Sequence, residues 1–219
     1  LREVKEDVIT WEEGAWKTIP RHSEWMEVTL PQVGTHRVYS MGHDEIQSLA
    51  VNFPGTDRIS FWMGFGEHYL NVFNVLDSLG LTSSIPVEVD GVKVAPNRLV
   101  KALLPDPASL AKDYTGKICI GVDVKGRKDG EEKRFFIWSN CDHQDNYREV
   151  GSQSISYSTG IPVITAARLI ADGTWNPQTM THVEELDPDP FLALMPQIGI
   201  DWHVKELPLD GSWPWPGEV

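Results

Sequence analysis

Bulky apolar and charged residues alternate along the first 22 positions. Within them, Trp11 to Trp16 encloses Glu12-Glu13-Gly14-Ala15 and reads as a turn between two short extended pieces. Pro20 opposes a helix there. Weak alternation over 25–29 predicts a further strand, and Pro31 with Gly34 marks the turn after it. Residues 37–41 fit another short strand. Spacings of three and four among Ile46, Leu49 and Ala50 predict a helix over 44–51, with Asp44 as its cap and Glu45 at its positive end. Residues 58–64 read as a strand with Ile59, Phe61 and Met63 on one side. Strand, helix and strand in about 28 residues suit a crossover unit, right-handed if the strands are parallel and adjacent.

A longer helix is expected over 67–79, with Leu70, Phe73, Val75, Leu76 and Leu79 as its apolar stripe and Gly80 as a left-handed cap. Pro96 suits the first turn of a helix reaching Leu104, which Pro105 and Pro107 end. The strongest hairpin pattern is 117–123 with 132–141 around Asp129-Gly130. A two-residue turn pairs Lys128 with Glu131, Val124 with Phe135, Val122 with Ile137, Ile120 with Ser139, Cys119 with Asn140 and Ile118 with Cys141. The two cysteines then point to opposite faces, which disfavours a disulfide. Residues 141–144 read as a polar loop at the open end of the hairpin. A helix is expected at least over 162–171, with Pro162 disturbing any longer run, and another over 188–199, with Pro190 in its first turn and Gly199 past its end. The tail after Leu207 is rich in Pro and Trp and need not be regular.

The chain of 219 residues is long enough for one large domain or two small ones. It carries 19 Lys and Arg against 32 Asp and Glu, a net charge of -13, which disfavours wrapping nucleic acid. No apolar run is long enough for a membrane-spanning helix. Two cysteines cannot staple the fold, and their scarcity suits a reducing compartment, here the cytoplasm. Leu1 is not an initiator Met, so preceding residues are expected in a parent protein.

Three constellations carry candidate chemistry. Gly64-Phe65-Gly66 before Glu67 links a strand to a helix, where free backbone N–H groups suit a carboxylate; a plain tight turn is the simpler reading. Cys141-Asp142-His143-Gln144 concentrates polar groups after the hairpin. A metal site and a Cys–His nucleophile pair are open there beside an ordinary loop, although the spacing matches no common zinc pattern. His143, if it faces a cleft, suits proton exchange or substrate orientation. His43 follows a strand directly, where open sheets place ligand-facing loops. No Gly-x-Gly-x-x-Gly fingerprint occurs in the chain.

The segments "GHDEIQSLA" at 42–50, "RISFWMGFGEHYLNVFNVLDSLGLTS" at 58–83, "KALLPDPASLAKDYTGKICIG" at 101–121, "SNCDHQDNYREVGSQSISYSTGIPVITAARLIADGTW" at 139–175 and "VEELDPDPFLALMPQIGI" at 183–200 resemble the non-Rossmann, C-terminal part of the saccharopine dehydrogenase family. The resemblance implies an α/β fold of α+β-like character, a mixed β-sheet packed by helices. It implies a substrate-binding and dimerisation domain over 1–219, with 176–219 packing toward an absent nucleotide-binding domain. It points to the branch that reduces the imine of aspartate β-semialdehyde and a diamine (1,3-diaminopropane or putrescine), with NADPH or NADH bound largely by that other domain. The chain alone is therefore expected to be inactive, and the parent a homodimer. His143 becomes the catalytic candidate. His43, Gly64, Phe65, Gly66, Glu67, Asp142, Gln144, Glu149, Ser152, Gln153 and Tyr157 become candidate substrate contacts, and no metal is expected. A saccharopine-forming enzyme joining lysine to an α-keto diacid is the alternative, for which Arg58, Arg98, Arg148 and Arg168 are the residues to inspect. A non-catalytic assembly module is the other.

Overall fold

The computed structural model describes residues 2–210, so Trp213 and Trp215 of the expected irregular tail lie outside the described residues. Its contacts divide into two compact units, Leu1–Met26 with Arg37–Leu110, and Glu27–His36 with Ala111–Val219. The mixture of helices and antiparallel sheets agrees with the α+β-like expectation.

The first unit begins with a short helix α1 (Arg2–Lys5), then strands β1 (Val8–Glu12) and β2 (Ala15–Ile19). Glu13 and Gly14 both have positive φ, the backbone of a two-residue mirror-image turn. That turn places Trp11 opposite Trp16, edge to face at 5.1 Å. Strands β3 (Trp25–Leu30) and β4 (Gly34–Met41) follow, joined by a turn over 31–33; their outer ends belong to the first unit and the tip to the second. Helix α2 (Glu45–Asn52) leads to β5 (Arg58–Ile59), which pairs with β1, and to β6 (Phe61–Gly64), which pairs with β4. The break at Ser60 thus splits the expected single strand between two sheets.

The expected parallel crossover is not formed, because β4 and β6 are antiparallel, with Val38 opposite Gly64 and Met41 opposite Phe61. The reason is length. An eight-residue helix spans about 12 Å, whereas returning along an eight-residue strand takes about 27 Å. The chain therefore re-enters the sheet near the end of β4 and runs back along it.

Helix α3 (Glu67–Ser78) buries Leu70 and Phe73, and Gly80 takes a left-handed φ of 74° as expected. Val75 and Leu79 do not complete the stripe, being 57% and 68% exposed. Val75 lies roughly 140° round the helix from Leu70, off the buried face. The core here comprises Val4, Met41 and Phe73, with Phe61, Met63 and Phe65 packed on it. A hairpin of β7 (Val87–Val89) and β8 (Val92–Val94), helix α4 (Pro96–Leu103) and a turn of helix α5 (Pro107–Leu110) complete the unit.

Asp77, at the end of α3, gathers three partners. It accepts a short hydrogen bond from the Thr82 hydroxyl and one of 2.7 Å from Arg21, and Lys5 stands 3.5 Å away. The Thr82 bond, then the Arg21 bond, hold its carboxyl down at about 2. Asp77 therefore stabilises the fold above its ordinary value of 3.8, and that contribution is lost as pH falls through about 2. In an acid titration followed by circular dichroism, Asp77→Asn is expected to flatten the fall in stability across that window. An unchanged slope contradicts the assignment.

In the second unit, β9 (Lys117–Lys128) and β10 (Glu131–Asp142) form a twelve-residue hairpin in the expected register, Lys128 opposite Glu131 through Ile118 opposite Cys141. Asp129 and Gly130 both take positive φ at its turn. Both cysteines are free. After β10 come α6 (His143–Val150), α7 (Ser154–Ala171), α8 (Pro188–Ile198) and β11 (His203–Glu206), which pairs with the other edge of β10.

Residues 143–150 correct the expected polar loop. Asp142 caps α6 by accepting from the Gln144 and Asp145 amides, and Gly151 ends it with a φ of 68°. Helix α7 starts eight residues before Pro162 and continues through it. The proline removes one backbone bond, about 3 kcal/mol in an isolated helix. Ser154 and Tyr157 before it and Thr165 and Leu169 after it are each buried, so both halves of the helix are held by tertiary packing that outweighs the loss. Cys141, Tyr157, Met195 and Ile200 form the core, flanked by Ile118, Ile161, Phe191 and Trp202.

Candidate functional site

The candidate residues divide between the two units. In the first, His43 leads into α2, its ring stacked on Phe61 at 4.2 Å and its Nδ1 against the Glu45 carboxylate. Asp44 makes no side-chain cap bond, contrary to expectation, since its own backbone is already helical. Gly64 ends β6 and Gly66 is the cap residue of α3, with an extended backbone open to any side chain. Phe65 stacks on Tyr69 at 5.4 Å, and Tyr69 on Phe73 at 6.3 Å, so it continues the aromatic packing of the core.

Glu67 stands apart from these. It shares a cavity of about 360 Å³ with Leu70, Asn71 and Asn74 of α3, with Arg37 and Tyr39 of β4, and with His22. His43 lines a smaller one of about 150 Å³ beside Asp7, Asp44 and Trp16. Of the candidate site residues expected from the sequence, Glu67 alone belongs to the larger set, with Leu70 expected there only as part of the apolar stripe. The available signal was the i, i+3, i+4, i+7 spacing of 67, 70, 71 and 74, which puts all four on one helix face.

In the second unit, the candidates form a connected polar frame. His143 is 8% exposed, and its Nδ1 accepts the Ser154 amide at 3.2 Å, so it caps α7 from the first residue of α6. Tyr114 stacks on its ring at 5.5 Å. The Ser154 hydroxyl donates to Asn146 at 2.8 Å, also in the interior. Asp142 caps α6, and those amides hold its carboxyl below the usual range, the Asp145 amide most. Gln144 donates to the Lys112 and Tyr114 carbonyls, and Gln153 accepts from the Ile155 amide. Ser152 lies half-buried in the link between α6 and α7.

Tyr157 donates to Glu149 at 2.9 Å and lies 3.3 Å from the Gly199 carbonyl. Burial, reinforced by Glu149, pushes its phenol up to about 12. Burial likewise pushes the Cys141 thiol up, and that of Cys119 to about 11, the reverse of what a nucleophilic thiolate needs. His143→Ala is expected to cost about 1–2 kcal/mol in chemical denaturation through loss of the α7 cap. Stability within about 0.3 kcal/mol of the parent chain contradicts that role.

With this geometry in place, likeness to known proteins decides the family. The description of the saccharopine dehydrogenase C-terminal domain matches residues 1–200. The chain belongs to the saccharopine dehydrogenase C-terminal domain family. Relatives of this C-terminal domain include the carboxynorspermidine synthases of Vibrio alginolyticus, 51% identical over 94% of the chain, and of Vibrio cholerae, 46% identical over 94%. A carboxyaminopropylagmatine dehydrogenase of Synechocystis is 41% identical over 93% of it. The domain spans about half of each relative, 50%, 50% and 51% of their lengths.

Proposed function

We propose that the chain is the substrate-binding and dimerisation part, over 1–219, of a nicotinamide-dependent oxidoreductase of polyamine biosynthesis. The whole protein condenses aspartate β-semialdehyde with a diamine, 1,3-diaminopropane or putrescine. Water leaves as the C=N bond forms, and a hydride to carbon with a proton to nitrogen gives the secondary amine. The observation that carries the reading is the 51% identity to a carboxynorspermidine synthase over nearly the whole chain. The lack of a glycine-rich dinucleotide fingerprint agrees with a reductant, NADPH in this reading, held outside this chain.

The chain's own work is then binding and orientation. His143 acts through the helix frame it caps rather than on the substrate itself, because its Nδ1 is engaged by the Ser154 amide and its ring is buried. Asp142 and Glu149 accept hydrogen bonds within the fold and Asp145 pairs with Arg148, which leaves Glu67 the most available acidic contact. The lysine and keto-diacid alternative needs extra cations converging on one cleft, yet none of Arg58, Arg98, Arg148 and Arg168 lines either cavity, Arg58 faces Glu12 at 3.7 Å and Arg148 is paired with Asp145. A cytoplasmic homodimer completes the proposal. The exposed apolar row of Ile120, Val122 and Val124 on β9 supports self-association, and none of the described helices is long and apolar enough to cross a membrane.

The full-length protein is expected to oxidise NADPH, followed by its absorbance, when aspartate β-semialdehyde and the diamine are both present. Turnover with lysine and an α-keto diacid, and none with the first pair, overturns the reading. Agmatine replacing the diamines as the sole productive amine moves the assignment toward the Synechocystis relative.

A further inference from the structure

The cavity between β4 and α3 carries two opposite charges that the protein does not use on itself. Arg37 is fixed by stacking its guanidinium over Trp25 at 4.1 Å. Among the described residues it has no carboxylate partner, although acids outnumber bases 32 to 19 in the chain. Glu67, on the opposing helix, has no cation partner among them either. The two line one cavity and do not pair with each other, so the space between them keeps a positive and a negative group apart. Asn71 and Asn74 face the same space without hydrogen-bond partners among the described residues, and each amide both donates and accepts. Tyr39 and His22 close the wall; burial, with Arg21, pulls His22 below the ordinary histidine value, so it serves as a neutral group. A volume of about 360 Å³ is at the small end of ligand sites, which suits a small molecule.

We propose that this cavity binds an α-amino-acid group, with Arg37 holding the carboxylate, Glu67 the ammonium, and Asn71 and Asn74 bridging them. A ligand with a single charge leaves one wall unpaired. Only a zwitterion satisfies both. The inference rests on the proposed function solely for its natural ligand, the amino-acid end of the semialdehyde.

The test needs neither nicotinamide nor turnover. L-2-aminobutyrate carries the amino-acid group without the aldehyde, and butyrate and n-butylamine each carry one of its charges. Titrated into the chain and followed by amide chemical shifts, L-2-aminobutyrate is expected to saturate with a Kd on the order of 1 mM. Butyrate and butylamine are expected to bind at least about 10-fold more weakly, and Arg37→Gln and Glu67→Gln each to weaken L-2-aminobutyrate by about 10-fold or more. Both positions are exposed, so both variants are expected to fold. No saturation by about 50 mM, equal binding of either single-charge analogue, or full binding retained by either variant overturns the proposal. Such a failure beside intact turnover of the full-length protein removes this site alone. Binding without turnover removes the proposed reaction and leaves the site.

Discussion

Gly199→Ala is expected to destabilise the chain by about 3–5 kcal/mol, the sum of a strained backbone and an overfilled contact. Gly199 has a φ of 146°, which side chains rarely adopt. A Cβ there would also fall on the Tyr157 hydroxyl and come within 3.1 Å of its ring carbon Cζ. That hydroxyl links Glu149 of α6 to Gly199 at the end of α8, so pushing it aside loosens three helices at once. For a chain of this size, such a loss lowers Tm by roughly 6–20 °C. Tyr157→Phe removes the clashing oxygen, and the glycine substitution is expected to cost less in that background. Equal costs in the two backgrounds, or a change under about 1 kcal/mol, contradict this account of the helix junction.

Gly121→Ala comes next, at about 2–4 kcal/mol. Gly121 lies in β9 opposite Trp138, and an added Cβ would sit 2.5 Å and 2.8 Å from the Phe136 ring and 2.9 Å from the Ile137 carbonyl. Neither neighbour yields easily. Phe136 is buried against Leu207, Leu30 and Trp138, and the carbonyl belongs to the central strand. Phe136→Leu shortens the ring side and is expected to recover part of the loss in a double-mutant cycle. Strict additivity of the two substitutions shows that the ring is not the obstacle.

The β9–β10 register was legible because two independent signals agreed: a two-residue turn at Asp129-Gly130 and alternating strands on both sides. The same chemistry stands at Asp90-Gly91, where both residues take positive φ between β7 and β8, yet the apolar pattern predicts no strand there. That hairpin is almost wholly exposed, so its three-residue strands carry little core pattern. Helix α6 was hidden for a related reason. It buries only His143 and Asn146, both polar, and its signs were the caps Asp142 and Gly151 rather than an apolar stripe.

The candidate site was legible in part. The dense polar block at 142–157 is a real cluster, but its groups mostly cap helices and join them, as His143 to Ser154 and Tyr157 to Glu149 show. Sequence alone does not separate a carboxylate that caps from one that waits for a ligand, since both are short polar side chains near helix ends. The cavity around Glu67 needed the pairing of β4 with β6, which sets Arg37 and Tyr39 across from a helix some 30 positions later. On α3 alone, Asn71 and Asn74 look like an ordinary solvated face.

The most direct test of the central claim is the mass of the product made by the full-length protein from aspartate β-semialdehyde, a diamine and nicotinamide deuterated at its transferable position. A product holding both carbon skeletons and one deuterium is predicted. Unchanged diamine, or deuterium delivered only to the aldehyde carbon to give an alcohol, contradicts the claim that this chain serves a reductive C–N joining enzyme.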